Sequence, residues 1–101
     1  MERQQPIVAF LYDFDKTLCT TDMEDYAFIP SLGMAPREFW ALANGFGHAN
    51  RMDGILAYMY TMIQESEKRH LPFTRESLRE MGRDIVLFPG VQEWFRRINA
   101  F

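Results

Sequence analysis

The first sustained apolar stretch of the chain is Ile7-Val8-Ala9-Phe10-Leu11-Tyr12, six residues without polar alternation, with acids directly after it. Such a run predicts a strand buried on both faces, as in a parallel sheet covered by helices. Past Thr20 the spacing of apolar positions becomes that of helices. Thr21 followed by Glu24 has the spacing of a capping box, so a short helix is expected from about Asp22 to just before Pro30. Pro36 suits a first helical position, after which Phe39, Leu42, Ala43 and Phe46 share one face; Gly45, Gly47 and Asn50 are expected to break that helix. Asn50 is placed to cap a third, longer helix with Asp53 in its first turn and an apolar stripe of Met52, Ile55, Leu56, Met59, Met62 and Ile63. Thr74 is the expected cap of a fourth helix ending near Gly82, with Phe73 and Leu78 closing a hydrophobic staple. Residues 85–88 are apolar and β-prone, and Pro89-Gly90 stops them. A last helix aligns Val91, Trp94, Phe95 and Ile98.

A parallel strand requires neighbours, and the last helix stands where a βαβ unit would next supply its second strand. The pattern therefore predicts an α/β fold class, with this chain, itself mostly α, as the front part of a larger α/β protein. At 101 residues there is room for one small domain. A composition 48% apolar and 15% aromatic suits a packed core and argues against disorder. Fourteen acids against eleven bases, a net charge of −3, exclude the basic footprint of a nucleic-acid binder. No apolar run is long enough to span a bilayer, so no membrane partner is expected. The polar start Met1-Glu2-Arg3-Gln4-Gln5-Pro6 does not read as a signal peptide, and the lone Cys19 cannot form an internal disulfide, which makes a cytoplasmic location the default. Seven methionines and fifteen aromatics point to apolar surface in want of a partner. Either oligomerisation or a C-terminal core outside the chain is expected to cover the exposed sheet.

The chemistry is concentrated in Asp13-Phe14-Asp15-Lys16-Thr17-Leu18, directly after the predicted strand. In open α/β sheets, ligands bind beyond the carboxyl ends of the strands. Two carboxylates separated by one residue can converge on a hard cation such as Mg²⁺, which takes one or two carboxylates and completes its shell with water and phosphate oxygens. An apolar strand, then Asp-x-Asp-x-Thr, then a capped helix resembles the first motif of the haloacid dehalogenase-like hydrolase superfamily, matched at Asp13, Asp15 and Thr17. Leu87-Phe88-Pro89-Gly90-Val91 resembles the segment by which members with an inserted helical cap return to their core.

The resemblance implies a Rossmann-like core, with its first strand and last helix in residues 1–20 and 85–101 and an α-helical cap in residues 21–84. It also implies a Mg²⁺-dependent phosphatase for a small phosphorylated substrate. Asp13 would be the nucleophile that forms an aspartyl-phosphate, Asp15 the general acid and then base, and Thr17 the residue that orients the loop. Asp13 and the Asp15 backbone carbonyl would hold the metal. The second Asp favours phosphatase over dehalogenase. The family's later motifs, a Ser or Thr, a Lys and a late pair of acids, have no match: neither Lys16 nor Lys68 stands at the Lys position. The chain alone is therefore expected to be inactive. The alternative is a non-catalytic helical interaction module that keeps the motif as a relic.

Other reactive side chains have plainer explanations. His48 falls in the predicted Gly/Asn-rich break and His70 at a helix C-terminus, where a cation is favoured. Cys19 reads as a small buried side chain. Asp22, Glu24 and Asp25 are explained by helix capping, and the face carrying Tyr58, Met59, Tyr60 and Met62 by core packing. No feature singles out Arg37, Arg51 or Arg75 as a phosphate contact.

Overall fold

Two helices laid side by side form the centre of the molecule in a computed structural model that describes residues 5–101. Helix α1 is Phe28–Ser31, α2 Pro36–Ala49, α3 Gly54–Lys68, α4 Arg75–Met81 and α5 Val91–Ala100, with 3-10 turns at Met23–Asp25 and Gly82–Asp84. Helices α2 and α3 meet as a hairpin across the short link 50–53. The core is Phe28 and Ile29 from α1, Leu32 that caps its C-terminus, Phe39 and Ala43 from α2, and Met62 from α3. Its rings meet edge to face: Phe28 and Phe39 have centroids 6.2 Å apart, and Phe39 and Trp40 5.3 Å.

The expected α/β architecture is not what forms. Among the described residues there is no strand and no sheet, only an isolated antiparallel bridge between Cys19 and Leu87. The Thr20 N–H donates to the Val86 carbonyl at 2.9 Å, and the Phe88 N–H to the Leu18 carbonyl at 2.9 Å. Residues 7–12, predicted as a buried strand, have no regular structure, and Ile7 and Leu11 are 97% and 96% exposed. The reason is pairing. A strand is stable only when a neighbour takes up its backbone N–H and C=O groups, and no described segment lies alongside this one. With no sheet to cover, the exposed apolar surface belongs to residues 7–12 and to helix faces.

Several helix boundaries also differ from the sequence expectation. The helix predicted from Asp22 is instead the 3-10 turn followed by α1, and Pro30 lies inside α1. That position is in the first helical turn, where a missing N–H costs no intrahelical bond. No capping box forms at Thr21, whose hydroxyl donates to Asp25 Oδ2 at 2.9 Å while Glu24 turns inward. Helix α2 runs through Gly45 and Gly47 rather than breaking there, and so contains His48. The two expected cap residues have different duties. Asn50 closes α2, its Nδ2 donating to the Phe46 carbonyl at 2.9 Å, and Asp53 caps α3 by accepting from the Ile55 N–H at 2.9 Å.

The face that α3 buries is another correction. Ala57, Thr61, Met62, Glu65 and Ser66 are inside, whereas Ile55, Leu56, Met59 and Ile63 are 41–59% exposed. Small residues explain this register. A Cβ added at Gly47 would sit 3.1 Å from the Ala57 Cβ, so α2 and α3 approach closely where neither has a large side chain. Tyr60, expected in the core, is instead stacked on Phe46 at the surface, ring centroids 4.7 Å apart.

Thr74 caps α4 as expected, through a reciprocal box with Ser77. Phe73 lies edge-on to Phe28 at 5.8 Å. Helix α5 follows Gly90, whose φ of 90° is a left-handed conformation suited to glycine. It buries none of its residues. Trp94 Nε1 donates to the Tyr12 hydroxyl at 2.6 Å, and Phe95 meets the Tyr12 ring at 5.4 Å. Among the described residues, no helix is long and apolar enough to cross a membrane.

Candidate functional site

The acidic segment is a tight turn wound on one carbonyl. The Phe14 oxygen accepts the N–H groups of Thr17 (3.1 Å), Leu18 (2.9 Å) and Cys19 (3.2 Å). Lys16 takes a left-handed φ of 62° inside this turn, an uncommon conformation for a side chain with a Cβ. The fully buried Cys19 secures the turn from below, its thiol donating to the carbonyls of Phe14 (3.4 Å) and Thr21 (3.0 Å). The sequence reading of Cys19 as a small buried side chain is the one the structure has.

The turn is fastened to the returning chain by Tyr26, a residue the sequence reading did not single out. Its hydroxyl donates to the Val86 carbonyl at 3.1 Å and accepts the Thr21 N–H at 2.9 Å and the Thr20 hydroxyl at 2.7 Å. One phenol thus ties the end of the acidic turn to residue 86. No periodicity marks such a role, because all its partners are loop atoms.

The three predicted site residues are arranged unequally. Asp13 is exposed, and the Thr17 hydroxyl lies at 3.5 Å from its Oδ2, a long contact that leaves the carboxylate available. Asp15 is engaged structurally, its Oδ1 accepting the Met23 N–H at 3.0 Å at the start of the first 3-10 turn. Lys16 Nζ lies 3.7 Å from Asp22 Oδ2. Among the described residues, no group of three or more His, Cys, Asp or Glu side chains is placed to hold a metal ion. A hard cation needs only one or two carboxylates. The exposed Asp13 carboxylate is an oxygen donor of the kind such a cation takes.

Behind the turn the field is acidic. Glu24 is 8% exposed, and burial pushes its carboxyl above the ordinary 4.5, helped by the negative charges of Asp15, Asp22 and Asp25. The Tyr58 phenol is pushed up by burial and then by Glu24, Asp15 and Asp22. Asp25 is occupied structurally, accepting from Trp40 Nε1 at 2.9 Å as well as from Thr21. The other candidates stand apart from this site. His48 is exposed in the last turn of α2, and His70 is exposed beyond α3 with a φ of 54°.

No family model matches the chain, and neither a curated protein nor a solved structure matches it.

Proposed function

We propose that the chain carries the nucleophile loop of a Mg²⁺-dependent phosphatase of the haloacid dehalogenase-like type, acting on a small phosphorylated substrate. The observation that supports it most is the Asp13-x-Asp15-x-Thr17 order held in a tight turn, with Asp13 exposed and the Thr17 hydroxyl beside it. On this reading the Asp13 carboxylate attacks phosphorus and the bond to the leaving oxygen breaks, giving an aspartyl-phosphate. Asp15, released from the Met23 N–H, gives its proton to that oxygen and then takes one from the water that frees phosphate. Mg²⁺, when bound at Asp13 and the Asp15 backbone carbonyl, supplies neutralisation of the phosphoryl charge. Thr17 orients the Asp13 carboxylate and does not itself react.

The phosphate-binding and later acidic groups of the family have no counterpart in these residues, so the chain alone turns over no substrate above background. The test uses p-nitrophenyl phosphate and Mg²⁺ with the chain and with every longer product of the same reading frame. Metal-dependent release in a longer product, reduced at least ~10³-fold by Asp13→Asn, is the expected result. Release that survives Asp13→Asn, or none in any product, overturns the proposal.

A second reading, a non-catalytic interaction module, is favoured by the unpartnered apolar face of α3, where Ile55 and Leu56 are both 59% exposed. Absence of turnover in every product, with stable association with another protein, would select it.

A further inference from the structure

Residues 7–12 carry both an unused backbone edge and an uncovered apolar face. None of their backbone N–H or C=O groups bonds within the chain among the described residues. Their side chains alternate in exposure, with the period of two that an extended segment has. Ile7 and Leu11 are 97% and 96% exposed, while Val8, Phe10 and Tyr12 fall to 71%, 55% and 39%. Tyr12 gives the second set its backing, since its ring meets Phe95 and its hydroxyl accepts from Trp94 on α5. Unpaired backbone among apolar side chains is a template for another strand, and packing against a helix stabilises a two-stranded ribbon.

Charge and area point to a second copy of this chain as the occupant. From Gln4 to Tyr12 there is no charged side chain, so two copies of the segment approach without like charges meeting. Asp13 and Asp15 follow at one end only. Parallel pairing sets each acid against its counterpart, whereas antiparallel pairing carries them to opposite ends. A two-fold axis then passes where one residue faces itself. About Ala9, Ile7 lies beside Leu11 of the second copy and Asp13 beside the polar Gln5; about Phe10, Ile7 faces Asp13. The first register matches apolar with apolar. The area is sufficient, because the accessible surface exceeds that of a compact domain of this mass by roughly 2,500 Å². A stable dimer takes about 800 Å² from each partner. We propose that the chain forms a symmetric dimer in which residues 7–12 of two copies pair antiparallel about Ala9, each strand backed by its own α5. Nothing in this pairing uses the chemistry of Asp13, so its failure leaves the phosphatase reading untouched.

Sedimentation equilibrium of the full chain at high micromolar concentration is expected to give twice the 11.9 kDa of one copy. Amides of residues 7–12, free to exchange in the dilute monomer, should slow as concentration rises. Leu11→Lys alters a side chain that the monomer leaves in solvent, and should weaken dimerisation about tenfold or more without lowering helix content. Ile55→Lys, on the exposed face of α3, should leave dimerisation unchanged. On oxidation Ala9→Cys should cross-link to itself, and Ile7→Cys only when mixed with Leu11→Cys; the native Cys19 is fully buried and does not compete. A monomer at high concentration, whose segment then pairs with a different chain if at all, overturns the proposal. So does an assembly larger than two, self-linking of Ile7→Cys as ready as that of Ala9→Cys, or loss of the dimer in Ile55→Lys but not in Leu11→Lys.

Discussion

Gly45 and Gly47 are two positions apart on α2 and face different surroundings. A Cβ at Gly45 meets nothing within 4 Å, while one at Gly47 meets the Ala57 Cβ at 3.1 Å and the Met52 carbonyl oxygen at 3.5 Å. Gly45→Ala should therefore stabilise the fold by about 0.5–1 kcal/mol through helix propensity alone. In Gly47→Ala the same gain is outweighed by the cost of parting two packed helices, for a net loss of about 1 kcal/mol. Urea midpoints of the two variants check this. Two buried acids set the response to pH. Glu65 is held below its ordinary 4.5 by the Arg69 hydrogen bond, assisted by Lys68, whereas burial raises Glu24 above 4.5. The stability from ionised Glu65 is present above 4.5 and lost as pH falls through its lowered value; that from neutral Glu24 is present below 4.5 and lost as pH rises through its raised value. Stability should thus peak near pH 4.5 as far as these two groups decide it. In urea titrations across pH, Glu24→Gln should remove the decline on the neutral side and Glu65→Gln the decline on the acid side. Little of this was legible in the sequence. Glu24 reads as a capping residue by its spacing from Thr21, and only the inward turn of its side chain makes it a buried acid.

At the scale of the element, periodicity located α2 to α5 but not all of their ends, and it read the buried face of α3 poorly. The apolar stripe of α3 is real in the sequence, but a stripe of large side chains reports a preference for burial, not the face that a neighbour can approach. Ala43 and Gly47 on one helix and Ala57 and Thr61 on the other permit the closer contact, and dispersion rewards that fit. The Thr61 hydroxyl is satisfied by its own helix, donating to the Ala57 carbonyl at 2.9 Å, so its burial carries no penalty. Met62→Ala should then cost about 2–3 kcal/mol, and Met59→Gln, at a position 49% exposed, no more than about 0.5 kcal/mol. Chemical denaturation of both variants tests the register, and equal losses would contradict it. The strand expected over residues 7–12 failed for a related reason. Composition can give a segment the character of a strand, but only a partner makes it one.

The whole molecule is extended for its length. Its radius of gyration is 18.2 Å, against about 13 Å for a compact domain of this size. Its accessible surface of 8384 Å² likewise exceeds the roughly 5,900 Å² expected from its mass. Order is therefore uneven, resting on α1, α2 and α3 and thinning toward residues 7–12 and α5, which are joined through Tyr12. Amide hydrogen exchange should show its slowest protons in α2 and α3 and near-intrinsic rates over residues 7–12, with α5 little slower. Uniform protection would contradict that gradient.

The bridge between Cys19 and Leu87, with Tyr26 fastened across it, makes the chain enter and leave its helical body at almost one point. A segment whose ends coincide is portable. Residues 21–84 have the geometry of a graft that a host protein could accept in a surface turn, and replacing them with a tight turn would shorten the chain without moving the two positions they connect.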